Sequence, residues 1–252
     1  MPTTPTLVPV QKDDPGHVVV FDRRDFLHNI WQYRVGQHVT FLAPTQWGKT
    51  TLAFSLLQVS TYPGAPGVVL VMKPRDRVVS GWVQRLGYRT IREWPPPVHL
   101  TKYAKPPGYA LWPKHTFDED PDVDNRRLST AFRRALTDCY RRGNYTLFAD
   151  EVYGLVKELG LEAQLNTIWS RGASMGCGLW ASSQRPYHVP QLAYGSAEHV
   201  FLGNDPDRRS RDRYSEIGGV DGDLVKELTA GLEKYQWLYI RRTGPAMCIV
   251  DA

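Results

Sequence analysis

The sequence predicts an α/β fold: a mainly parallel sheet sandwiched by helices, with a C-terminal β-hairpin. Three observations predict it. Short apolar, β-branched or aromatic runs such as Val68–Met72 and Tyr145–Ala149 recur along the chain, as in strands buried on both faces. Helical stretches separate these runs, which favours parallel strands joined by right-handed crossovers. The final stretch, Tyr235–Ala252, reads as two strands around a turn at Thr243-Gly244-Pro245.

Bulk properties are compatible with that fold. A chain of 252 residues makes one large α/β domain or two small ones. The expectation is a loose leader over residues 1–16 and a single domain over 17–252. Apolar residues make up 42% and charged residues 23%, the balance of a soluble globular protein. No apolar run reaches the roughly 18 residues a membrane helix needs, and the N-terminus lacks a signal-peptide pattern. The expected location is therefore the cytoplasm, with no membrane span. Cys139, Cys177 and Cys248 are far apart and lack metal spacing, so they read as buried small hydrophobes. The seven histidines show no ligand pattern, and the net charge of +5 permits a polyanionic partner.

Taken in order, His17–Asp22 is a short strand, and Asp22 caps a helix over residues 23–33. Residues 37–43 form an apolar strand, and 49–59 a helix stopped by the Pro/Gly-rich segment after it. Val68–Met72 is a strand. Trp94 opens a Pro/Lys/aromatic segment, 94–124, which reads as one long loop. Asn125–Arg142 is an amphipathic helix with Asp124 as its cap and Gly143 as its stop. Tyr145–Ala149 is a strand ending in Asp150-Glu151. A helix around residues 162–170 then leads through a Gly-rich turn to the strand Leu179–Ser183, which ends in Gln184-Arg185-Pro186. Residues 199–204 form the last strand before the hairpin.

Chemistry concentrates first in "APTQWGKTT", Ala43–Thr51. In the pattern G-x-x-x-x-G-K-[ST], backbone N–H groups and a helix N-terminus wrap a β-phosphate. The lysine reaches the β/γ oxygens, and the hydroxyl binds Mg²⁺. Here Ala43 stands at the first position, followed by Pro44, Thr45, Gln46, Trp47, Gly48, Lys49, Thr50 and Thr51. Trp47 has three readings: stacking on a base, contact with a neighbouring subunit, or packing over the loop.

A nucleotide loop of this kind needs an acid at the end of an adjacent buried strand. Asp150 supplies it, as a magnesium group beside Thr50, and Glu151 is placed to polarise the attacking water. Gln184, at another strand end, offers an amide to the γ-phosphate or that water. ATP and Mg²⁺ are the implied cofactors.

In sequence order, "GQHVTFLAPTQWGKTT", "VVLVMKPRD", "TLFADEVYGL" and "SRGASMGCGLWASSQRP" resemble the FtsK/HerA superfamily of DNA-pumping P-loop ATPases. A motor of this length is most similar to the viral genome-packaging branch. The resemblance implies a RecA-like P-loop NTPase core and ATP hydrolysis coupled to translocation of double-stranded DNA. It also implies a homo-oligomeric ring, a pentamer or hexamer, with ATP at the subunit interfaces. If the protein is viral, it would work in the host cytoplasm at a capsid portal or another DNA-entry complex. The family often carries an acidic residue where this chain reads Met72-Lys73-Pro74. A neighbouring subunit would insert an arginine. Arg171 is the candidate, with Arg185, Arg208, Arg209, Arg211 and Arg213 as rivals.

Two features suit DNA phosphates: Lys102, Lys105 and Lys114 in the long loop, and Arg241-Arg242 at the hairpin. A conjugative DNA-transfer motor would keep the same chemistry. A nucleotide-gated assembly protein with little turnover is the alternative from a different class.

Overall fold

The computed structural model describes residues 18–97, 104–186, 189–244 and 246–251. In chain order the elements begin with β1 (Val20–Phe21), α1 (Arg23–Asp25), β2 (Val39–Leu42), α2 (Lys49–Ser60), β3 (Gly67–Leu70) and α3 (Arg77–Arg85). Next come β4 (Arg89–Ile91), β5 (Gly108–Leu111), α4 (Pro121–Arg142), β6 (Tyr145–Ala149), α5 (Val152–Lys157), α6 (Glu162–Arg171) and β7 (Cys177–Ser183). The chain closes with α7 (Gln191–Gly195), β8 (His199–Leu202), α8 (Arg208–Asp212), α9 (Gly222–Ala230), β9 (Trp237–Arg241) and β10 (Ala246–Val250).

The described residues pack as two compact units. One holds the chain up to Tyr33, Val39–Lys49 and everything from Ser183 onward; the other holds Arg34–His38 and Thr50–Ser182. In the first unit the strand order is β1-β10-β9-β8-β2. β2 and β8 pair in parallel, from Val39 opposite His199 to Leu42 opposite Leu202. β9 runs antiparallel to both β8 and β10. β10 takes β1 as a parallel partner on its far edge. In the second unit the order is β7-β6-β3-β5-β4, and every pairing is parallel.

The apolar runs become strands for the reason their composition suggests. β2, β3, β5, β7 and β8 are buried at every residue, so neither face of these strands needs polar side chains. α2 is buried along Leu52–Leu57 and again at Ser60, so it lacks the polar stripe of a surface helix. α4 keeps its polar stripe and buries Leu128, Phe132, Ala135, Leu136 and Cys139 at 0–3% exposure.

Several boundaries differ from the sequence expectation. α4 starts at Pro121, not Asn125, and its cap is Asp120, whose carboxylate accepts from the Asp122 N–H at 2.9 Å. Proline suits the first turn because its missing N–H would have no partner there. Asp124 instead accepts from Thr116 N, Thr116 Oγ1 and Phe117 N at 2.9–3.1 Å, tying the preceding segment to the helix. The 94–124 segment is not a continuous loop. It contains β5, paired on both edges by β3 and β4, a partnership its proline-rich flanks concealed. The helix expected over 23–33 is shorter. Asp22 does cap α1, accepting from Asp25 N at 2.9 Å, but the chain widens into a π-helical turn at Phe26–Ile30 and ends at Trp31. The leader, Lys102 and Pro245 lie outside the described residues.

Candidate active site

The phosphate-loop sequence follows β2 directly. Ala43 is buried, and its N–H donates to Ser183 O at 3.3 Å. The loop turns through two left-handed residues, Gln46 at φ 63° and Gly48 at φ 88°. Glycine adopts that conformation without a Cβ clash. Lys49 opens α2, and its Nζ donates to Ala43 O and Pro44 O, each at 2.7 Å. The ammonium therefore folds back onto the first carbonyls of the loop, bonds that a bound phosphate would replace. Thr45 Oγ1 donates to Gln184 Oε1 at 2.8 Å, so the strand-end amide contacts the loop itself.

Trp47 packs over the loop. Its indole N–H donates to Gln236 O at 3.0 Å, just before β9. Its ring lies on Gly203: a Cβ built there would sit 2.6 Å from Trp47 Cδ1, Trp47 Nε1 and Ala43 Cβ. Gly203 N in turn donates to Leu42 O at 2.8 Å. Ala43, Trp47 and the bare Cα of Gly203 thus share one packed space, which explains a small residue at position 43 beside a bulky one at 47.

In the second unit, Thr50 Oγ1 donates to Asp150 Oδ1 at 2.8 Å. Asp150 follows β6, so the acid arrives at the strand end where the sequence places it. Glu151 caps α5, accepting from Tyr153 N at 3.4 Å. Lys73, in the turn after β3, is held by Asp76 at 3.1 Å. Partial burial works against its charge, but the Asp76 carboxylate, with Asp150 and Glu151 beyond it, keeps the ammonium above its usual range. These four side chains and the end of β3 line a cavity of about 40 Å³. Nothing local to Lys73 gives it a role; its proximity to Asp150 and Glu151 emerges only in the fold.

The Thr50 hydroxyl and Asp150 carboxylate are hard oxygen donors. They fit Mg²⁺, which takes one or two protein ligands and completes its shell with phosphate oxygens and water. Among the described residues, no group of three or more His, Cys, Asp or Glu is arranged to hold a metal. No helix of the described residues is long and apolar enough to cross a membrane.

The remaining candidates are dispersed. Arg171 is exposed at the end of α6, and Arg185 is exposed beyond Gln184. Arg208 and Arg209 are exposed on α8. Arg211 donates to Asp205 O, and Arg213 binds Tyr194 Oη at 2.8 Å and Glu216 at 3.3 Å. Arg242 donates to Gly218 O at 3.1 Å, to Ala197 O at 3.3 Å and to Gly195 O. Arg241 is half-buried, while Lys105 and Lys114 are exposed.

No protein-family model and no curated protein matches the chain. Solved structures do. The genome-packaging NTPase B204 of Sulfolobus turreted icosahedral virus 2, in complex with sulfate, aligns at 13% identity and a TM-score of 0.59. That alignment covers 87% of this chain and 98% of B204. The chain shares that fold, an α/β architecture around a mostly parallel sheet. VirB4 of Thermoanaerobacter pseudethanolicus aligns at 13% identity and a TM-score of 0.64, over 85% of this chain and 89% of VirB4. The cytoplasmic domain of the type VII secretion ATPase EccC from Thermomonospora curvata shares 16% identity at a TM-score of 0.53, over 87% of this chain and 25% of that one. B204 has also been solved with AMPPCP and with ATP-γS.

Proposed function

We propose that this protein is an ATPase whose turnover drives double-stranded DNA, working as a homo-oligomeric ring at a capsid portal or other DNA-entry complex. The observation that carries the reading is the 2.8 Å contact between Thr50 and Asp150, with Thr50 directly following the loop lysine in a chain of FtsK/HerA-type fold. Thr50 and Asp150 would hold Mg²⁺, which when bound neutralises charge on the β- and γ-phosphates. Lys49 exchanges its two carbonyl partners for phosphate oxygens, and the loop N–H groups around Gly48 hold the phosphate chain. Glu151 orients the attacking water and accepts its proton. Gln184, bonded to Thr45 of the loop, would offer its amide to the γ-phosphate or the attacking water. An exposed arginine from a neighbouring subunit, with Arg171 first among the candidates, would stabilise the charge of the transferring phosphoryl group.

The duplex-DNA branch is supported by the likeness to B204, described as a genome-packaging NTPase, and by the net charge of +5. The likeness to VirB4 supports the conjugative-motor alternative, which keeps the same site. The test is ATP hydrolysis with and without linear duplex DNA, together with sizing in the presence of both ligands. Glu151→Gln should lower kcat by about 10²–10⁴-fold while leaving ATP binding intact. Replacing Lys102, Lys105 and Lys114 with alanine should abolish DNA stimulation and spare the basal rate. Full hydrolysis by the Glu151→Gln variant would refute the assignment of the base. A wild-type monomer that DNA does not stimulate would favour the nucleotide-gated assembly protein.

A further inference from the structure

One aromatic side chain beside the phosphate loop has no part in the chemistry above. Tyr235 lies in the turn between Leu232 and β9, with φ at 75°, a conformation rare for a bulky residue outside glycine-rich turns. The turn is well tied. Gln236 N donates to Glu233 O at 3.1 Å, Glu233 N donates to Gln236 Oε1 at 2.9 Å, and the Trp47 indole holds Gln236 O from the loop side at 3.0 Å. This fixed backbone places the Tyr235 ring against the loop: a Cβ built on Gly48 would sit 3.6 Å from Tyr235 Cδ1. The ring is nevertheless 40% exposed, and the Lys234 ammonium lies 5.0 Å from its centroid.

A buried aromatic stabilises by packing, and a surface aromatic normally sits in a relaxed backbone. Tyr235 does neither. It keeps an unfavourable φ to hold an exposed ring beside Gly48 of the loop. Strained residues held in this way mark functional positions. The available partner is the nucleotide, because a triphosphate seated on the loop must carry its base out past the loop's rim. We propose that Tyr235 is the base-stacking residue of the nucleotide site, with Lys234 adding positive charge at the same rim. Trp47, which the sequence leaves as a possible stacking group, instead anchors the turn that presents Tyr235. The inference rests on the nucleotide reading above and adds a requirement for a planar base.

The test compares ATP with inorganic tripolyphosphate, which has no base. Tyr235→Ala and Tyr235→Gly should each raise the KM for ATP about fivefold to a hundredfold, the range that base–aromatic stacking gives on truncation, with kcat nearly unchanged. Inhibition by tripolyphosphate should be the same in both variants as in wild type. Tyr235→Phe keeps the ring and should match wild type, which excludes a role for the hydroxyl. The glycine variant relaxes the backbone, so an equal loss in both variants assigns the effect to the ring. Unchanged KM for ATP overturns the proposal. So does equal weakening of ATP and tripolyphosphate, which would make the turn a support for the loop only. If wild type binds no ATP, or Lys49→Ala binds it as well as wild type, the nucleotide reading itself fails, a distinguishable result.

Discussion

Gly203→Ala is the sharpest test of how the phosphate loop is supported. The added methyl would lie 2.6 Å from Ala43 Cβ, Trp47 Cδ1 and Trp47 Nε1, about 1 Å inside normal carbon contact. Ala43 is 0% exposed and anchored by its N–H to Ser183 O, so the indole must move. Overpacking of this kind costs about 1–3 kcal/mol. Displacing Trp47 also removes its bond to Gln236 O, worth about 1 kcal/mol more. At roughly 2–4 °C per kcal/mol for a chain of this size, the melting temperature should fall by about 4–16 °C, with a higher KM for ATP as the loop loosens. Thermal unfolding and steady-state hydrolysis read the two effects. Pairing the change with Trp47→Leu should return part of the lost stability, because neighbouring substitutions couple. A melting temperature within a degree of wild type, with KM unchanged, would refute the claim that Ala43, Trp47 and Gly203 share one packed space.

Two further predictions concern groups away from the loop. Burial pushes His38 down to about 4 and His199 down to about 3. Below the unfolded value near 6.5 the unfolded chain takes up protons that the folded chain refuses, so stability falls with pH. Between pH 7.5 and pH 5 the loss should be about 2 kcal/mol per histidine, measured by denaturant titration, and stability flat over that range would refute the assignment. Cys139, Cys177 and Cys248 are all buried, and burial raises all three thiols, Cys177 and Cys248 to about 12. With thiolate scarce, maleimide should leave the native protein unlabelled and modify all three cysteines after guanidinium unfolding; rapid native labelling would show an opened core.

Much of this site was legible in the sequence because its signals are local. A buried strand, a Gly-Lys-Thr loop and a helix follow one another within residues 39–60, and the acid pair directly follows an apolar run. Periodicity and turn chemistry encode such features over a few residues. The four-residue strand Gly108–Leu111 was illegible for the complementary reason. Its own composition is weak, and only pairing on both edges makes it a strand. The early start of α4 was missed because four closely spaced aspartates, Asp118, Asp120, Asp122 and Asp124, compete for the cap, and side-chain geometry alone selects Asp120.

By itself, then, the sequence determined the α/β class, the order along the chain of the buried strands other than β4 and β5, the loop that carries Lys49 and Thr50, and Asp150 as the acid to seek. Tertiary structure alone decided which groups support them. Thr45 meets Gln184 across 139 residues, and Trp47 meets Gln236 across 189. β10 takes β1 as its edge partner, and Lys73 comes to face Asp150 and Glu151. Contacts at such separations depend on how strands pair and side chains interdigitate, and no local pattern records that. For the same reason the sequence could pose the question of Trp47, while its packing against a glycine more than 150 residues away is visible only in the fold.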